Sequence, residues 1–267
     1  MFSGPVFVLL ISAALAVSSA RAADKEPIST DRPDFLTSPN VVGKGRFQIE
    51  TGPLVQRDDR DGLRIRTVTT PTLLRLGIND SLELRLESEG RVRTRETDLA
   101  TQTTMSASGW ADGTIGIKWN MREADANSGT PAIGWVFQAT GATGSAQFRG
   151  RGVRPAVIGA FEWELPDDAG FAASVGVTYD STNGGDRFVS GLLGAGVSKG
   201  MTDKLTIAAE VVAQQIASKR YGGNVVTADL SATYRLTNDV QIDALVGRRV
   251  TSEAPRLFFT VGISARF

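Results

Sequence analysis

The feature that most constrains this chain is a two-residue alternation that runs into its last residue. Leu257–Phe267 reads LFFTVGISARF, with Phe259, Val261, Ile263, Ala265 and Phe267 on one side and Thr260, Gly262, Ser264 and Arg266 on the other. Successive side chains of a β-strand point to opposite faces, so this segment is a strand with one apolar face. The same period recurs upstream. Strands are predicted at Arg46–Gln56, Leu63–Leu76, Ser81–Arg95 and Gly109–Met121, and eight more follow, the C-terminal segment included, to make about twelve. In the second, the apolar parity shifts between Ile65 and Leu74, which predicts a bulge or irregularity near Pro71.

The connections alternate in length. Asn79-Asp80, Pro166-Asp167-Asp168, Gly200–Asp203 and Thr237–Asp239 are tight, whereas Thr97–Ala107, Gly144–Gly152 and Ser181–Arg187 are longer and more polar. Short turns at one end and longer loops at the other are the pattern of an outer-membrane barrel. The terminal aromatic residue also resembles the ending of bacterial outer-membrane barrels, in which a final Phe marks the chain for assembly. Phe267 is therefore the expected assembly signal.

Pro5–Val17 is an apolar run followed by Ala20-Arg21-Ala22, a small-x-small pattern. Residues 1–22 read as a secretory signal peptide, although no Lys or Arg precedes the run. An exported chain without cysteine has no disulfides and must be held by its core or by a membrane. The absence of histidine excludes Ser–His–Asp and other His-based catalysis and His-rich metal sites. The formal charge is zero, so nothing favours nucleic acid as a partner. No cofactor or metal is expected, and the chain does not read as an enzyme. A carboxylate pair such as Glu162 and Glu164 is the one weak alternative.

The polar faces carry too many charges for a dry core: Glu83, Arg85, Glu87, Lys118, Glu162, Glu164, Glu210, Asp229, Arg235 and Asp243. The fold class that accommodates them is all-β, a closed antiparallel up-and-down transmembrane β-barrel of about twelve strands, apolar outside and polar within. Hydrocarbon offers no hydrogen-bond partners, so the sheet must close. Glu83, Arg85, Glu87 and Lys118 are the expected lining of the lumen. Arg91, Arg93 and Arg95 continue the polar face of the third strand and are expected at or beyond the outer mouth, either pairing with Glu89, Glu96 and neighbouring acids or attracting anionic solutes or lipopolysaccharide phosphates. Trp119, Trp163 and Tyr234 are expected girdle residues.

Before the barrel, Ile28–Thr37 reads ISTDRPDFLT and Asn40–Gly52 reads NVVGKGRFQIETG. These segments, with Gln48 and Glu50, Leu74–Glu87 and the Gly109–Asp112 and Gly116–Lys118 elements, resemble an outer-membrane transporter family named for the MetA pathway of phenol degradation. Ala111 stands where that family pattern has Gly. The resemblance implies uptake of hydrophobic or aromatic solutes. Residues 23–45 are expected to form either a lumen plug, with Asp31, Arg32 and Asp34 as the gate, or an ordered arm at the periplasmic rim. Residues 46–267 form the barrel. The expected partners are outer-membrane lipid and lipopolysaccharide, the barrel assembly machinery and a small-molecule solute. A non-transporting surface or structural barrel is the alternative.

Overall fold

The computed structural model describes residues 26–182 and 184–267, so the expected signal peptide lies outside the described residues. Sixteen β-segments build the wall: β1 Phe47–Thr51, β2 Leu54–Arg60, β3 Leu63–Thr69, β4 Thr72–Gly77, β5 Leu82–Ser88, β6 Arg91–Asp98, β7 Thr104–Trp110, β8 Gly113–Arg122, β9 Ala132–Thr140, β10 Arg154–Leu165, β11 Ala169–Ser181, β12 Arg187–Gly200, β13 Leu205–Ile216, β14 Val225–Thr237, β15 Val240–Arg249 and β16 Leu257–Arg266. All neighbouring pairs are antiparallel. The first eight segments are four wall strands, each broken once: at Gly52-Pro53, Thr70-Pro71, Glu89-Gly90 and Ala111-Asp112. The wall is thus a closed barrel of twelve strands. Closure comes from β16, which pairs with β1 through Ile263–Arg266 and with β2 through Leu257–Thr260.

Backbone chemistry explains the breaks. Proline supplies no ladder hydrogen bond, and the two prolines fall where pairing lapses. At Gly90 the chain takes φ +66°, and the inserted residue turns the strand over. Hence Glu83, Arg85 and Glu87 face the lumen on β5, whereas Arg91, Arg93 and Arg95 face outward on β6. The register fixes this: Arg95 lies opposite Arg66, which lies opposite Arg57, which lies opposite Leu257 on the apolar face of β16. The irregularity expected near Pro71 is present as the break between β3 and β4, but it does not change the facing of the strand. Ile65 faces the lumen and Leu74 faces outward on a strand that keeps its facing, and the flip comes one strand later.

The tight turns follow from residues that accept positive φ. Asp61-Gly62 (φ +51° and +77°) and Asp167-Asp168 (φ +60° and +55°) join β2 to β3 and β10 to β11. Both central residues positive is the twist-matched turn, the whole of the two-residue loop at Asp61-Gly62 and the last two residues of the three-residue loop after Leu165, and Asp tolerates it because its short side chain bonds locally.

Large apolar residues line the outside, among them Leu86, Ile117, Phe137, Val197, Val211, Leu230 and Val261, each about half exposed. Trp119 and Tyr234 are on this face, and Trp135, Phe161, Trp163 and Phe171 form a chain of ring contacts 5.4–6.4 Å apart. One edge is handled differently. β7 pairs with β6 alone, since β8 and not β7 meets β9. At its base the β9–β10 loop covers it: Ser145 N donates to Trp110 O and Trp110 N to Ser145 Oγ, both at 2.9 Å. Asp112 anchors that loop by accepting from Gly144 N and Gly150 N at 2.8 Å each and pairing with Arg154.

Candidate functional site

The inside of the barrel is occupied by the chain's own N-terminal segment. Ile28 N donates to Asn238 O in the β14–β15 turn, and Val42 N donates to Glu83 at 3.0 Å. Between these points the segment crosses the lumen and is held by side chains from around the wall.

Its first anchor is Asp31. The carboxylate accepts from Lys118 Nζ at 2.8 and 3.0 Å and pairs with Arg85 at 2.7 Å. Burial opposes ionisation, but Lys118, Arg85 and Arg75 outweigh it and hold the carboxyl far below the usual carboxylate range. Beside it, Arg75 is fully buried, with Glu50 and Glu83 both at 2.9 Å. Arg75 also donates to Ser29 O and Asn40 O, which ties the network to the segment. Glu50 accepts from Asp31 N and Arg32 N, both at 3.0 Å. Buried charges persist only when paired, and here every one of them is, by groups from four wall strands and the segment together.

The second anchor is Arg32, whose guanidinium donates to Asp243 at 3.0 and 3.3 Å and to Thr260 Oγ1 at 2.8 Å. The wall is thinned to receive it. A Cβ on Gly262 would stand 2.3 Å from the guanidinium, and one on Gly52 2.8 Å. The same device recurs where Pro39 meets Gly134 (2.7 Å) and Leu36 meets Gly194 (2.6 Å). The third anchor is Glu210, which accepts from Phe35 N at 2.6 Å and Leu36 N at 3.3 Å. The Phe35 ring packs edge-on against the buried Phe258, 5.5 Å between centroids.

Asp34 is held differently. It shares its side of the lumen with Glu210 and Asp229, with no cation among its principal neighbours. Burial pushes its carboxyl up, a hydrogen bond from Ser231 pulls it down, and the charges of Asp243 and Asp31 push it up further, for a net rise.

The segment divides the lumen. On one side is a cavity of about 260 Å³ with Leu54, Leu73, Val136, Ile158 and Leu192 among its walls, together with Arg85, Glu87 and Glu89. On the other is a crevice of about 130 Å³ lined by Glu162, Ala172, Ser198 and Ala208. Asp31, Asp34, Leu36 and Thr37 line both.

Of the residues expected to line the lumen, Glu83, Arg85 and Lys118 lie in the ion-pair network and Glu87 borders the larger cavity. Asp31, Arg32 and Asp34 lie together on the crossing segment. Arg91, Arg93 and Arg95 are on the outer wall and contribute nothing to the lumen. Sequence reasoning missed Arg75, whose signal was a single cation inside the apolar run TLLRLG, and the anchoring of the segment by Glu210 and Asp243. Among the described residues, no group of His, Cys, Asp or Glu is arranged to hold a metal ion.

The comparisons with known proteins settle the family. The model for the family described as "Putative MetA-pathway of phenol degradation" matches residues 30–267. The chain belongs to this family. The match starts inside the crossing segment, at Thr30, so that segment is part of the family's pattern as much as the barrel is. No curated protein matches the sequence. Among solved structures, an outer membrane channel from Pseudomonas putida F1 superposes with a TM-score of 0.61 at 13% identity, over 85% of this chain and 97% of that one. The KdgM porin gives 0.50 at 13% identity over 82% and 99%, and the transport unit of the autotransporter AIDA-I from Escherichia coli gives 0.50 at 10% over 86% and 93%. At these identities the likeness is one of fold, that of outer-membrane barrels.

Proposed function

We propose that this member of the family is an outer-membrane channel for small apolar or aromatic solutes, closed here by its own N-terminal segment. The chain is exported through residues 1–22, and its membrane face meets outer-membrane lipid and lipopolysaccharide. The observation that carries the reading is that the segment lies across the lumen with a cavity on each side of it, four of its residues lining both. Asp31, Arg32 and Asp34 are the gate, with Glu83, Arg85, Glu87 and Lys118 the wall it closes against. Transport is passive. A solute entering the larger cavity meets leucine, isoleucine and valine side chains beside fixed charges, a surface suited to a compact apolar body with one polar group. The family's name points the same way, towards phenol-like compounds.

Release of the segment needs no unfolding of the wall. Apart from the backbone bond of Ile28 N to Asn238 O, its anchors are bonds to or from side chains of a closed barrel whose ladder does not include it. Liposome swelling tests the proposal. With residues 26–42 deleted, phenol-type solutes should enter clearly faster than through the intact chain. If neither form exceeds empty liposomes, the channel reading fails. The non-transporting barrel, which the filled lumen also favours, then stands.

A further inference from the structure

The outer wall carries an arginine cluster that the channel reading does not use. Arg57, Arg66 and Arg95 lie in one cross-strand row on β2, β3 and β6, with Arg248 two strands away in the same row beyond Leu257. Arg93 and Arg91 sit below Arg95 on the same face. All six are exposed, and among the described residues none has an ion pair or side-chain hydrogen bond. Arg66 is directly opposite an arginine on each side, an arrangement that repels unless an anion lies between. Acids on this face do not supply it. Asp59 is taken by Arg64 at 3.4 Å and by Arg256 at 2.5 Å, and Glu89 and Glu96 face the lumen side.

Height identifies the anion. Leu257 ends the apolar face of β16, and at 3.3 Å per residue with a tilt near 40° it stands roughly 25 Å above the periplasmic end, the full apolar band of such a barrel. Counted in the same way from the periplasmic ends of their strands, Arg248 stands roughly 20 Å and Arg95 roughly 33 Å above that end, so the row climbs from the top of the apolar band through the phosphate level of the outer leaflet. An apolar groove of about 640 Å³ leads away from Arg248 over Val197, Ala209, Val211, Leu230 and Val246, which suits an acyl chain hanging from that level. We propose that Arg57, Arg66, Arg95 and Arg248 form a binding face for the phosphorylated glycolipid of the outer leaflet, guanidinium groups clamping its phosphates. This rests on the barrel spanning the outer membrane and not on which solute passes.

Native mass spectrometry of the full mature chain in detergent tests it, with bis-phosphorylated lipid A as probe. Wild type should retain lipid A at least tenfold more tightly than its dephosphorylated form. The triple variant Arg57→Gln/Arg66→Gln/Arg95→Gln should lose that preference while a Lys204→Gln control keeps it. Equal retention of both lipids by wild type overturns the proposal without any variant having to fold. Displacement of lipid A by millimolar inorganic phosphate also overturns it, in favour of a soluble-anion site. Swelling of glycolipid-free liposomes reports on the channel separately.

Discussion

Asp31 concentrates the chemistry of the lumen in one carboxylate, since it answers two of the three buried cations around it. Asp31→Asn removes that charge and leaves Lys118 and Arg85 short of a partner, so the docked segment should lose about 3–5 kcal/mol. The chain has no cysteine, so a spin label on Thr37→Cys gives a clean readout, and its mobility should rise at lower urea in the variant. pH separates Asp31 from Asp34. The raised carboxyl of Asp34 favours docking at low pH, and that contribution is lost as pH climbs through its folded-state value. The depressed carboxyl of Asp31 does the opposite, supporting docking above the ordinary carboxylate range and losing it on strong acidification. Label mobility should therefore be lowest between these limits, and Asp34→Asn should reduce the rise on the alkaline side while leaving the acid side unchanged. These two acids were visible in the sequence as a motif. Arg75 was not, because one cation in a leucine-rich strand looks the same whether it faces water or a carboxylate.

Among the elements, the C-terminal half of the wall was legible because its strands keep one facing over most of their length, the bulges at Ala213–Gln215 of β13 and Arg235–Thr237 of β14 falling near strand ends. The N-terminal half was not. One extra residue at Gly90 exchanges the two faces of a strand without altering its composition, so Arg91, Arg93 and Arg95 read as a continuation of the polar face at the outer mouth and stand on the outer wall instead. The glycines opposite the crossing segment are a second hidden signal. In an alternating strand Gly262 reads as a filler, but its missing side chain is the space that Arg32 fills. Gly262→Val should expel the Arg32 guanidinium while β16 keeps its ladder. The expected result is an unchanged far-ultraviolet spectrum with faster solute entry in liposomes, approaching that of the chain lacking the segment. A slower rate would show that Arg32 does not close the path.

For the molecule as a whole, the seam between first and last strands decides closure. Phe47 and Phe267 exchange backbone hydrogen bonds at 3.1 and 2.7 Å, and their rings stack 6.3 Å apart on the outer face. Phe267→Ala leaves the backbone pair intact and removes about 0.5–1.5 kcal/mol of ring contact. The purified variant should therefore refold in detergent and keep heat-modifiable migration. If Phe267 is read during delivery, the same variant should be depleted from outer membranes in cells, a loss that the small energetic change would not produce. The crossing segment is joined to this wall in an uneven way. It enters beside the β14–β15 turn, at Ile28, and leaves beside the β4–β5 turn, so both of its feet are planted at one rim. A tug from the periplasm on the chain ahead of Ile28 strips Ser29, Asp31 and Arg32 from their holds in succession, like a zip. Pressure from the cell exterior loads every hold together, so the molecule yields far more readily to a hand below than to a push from above.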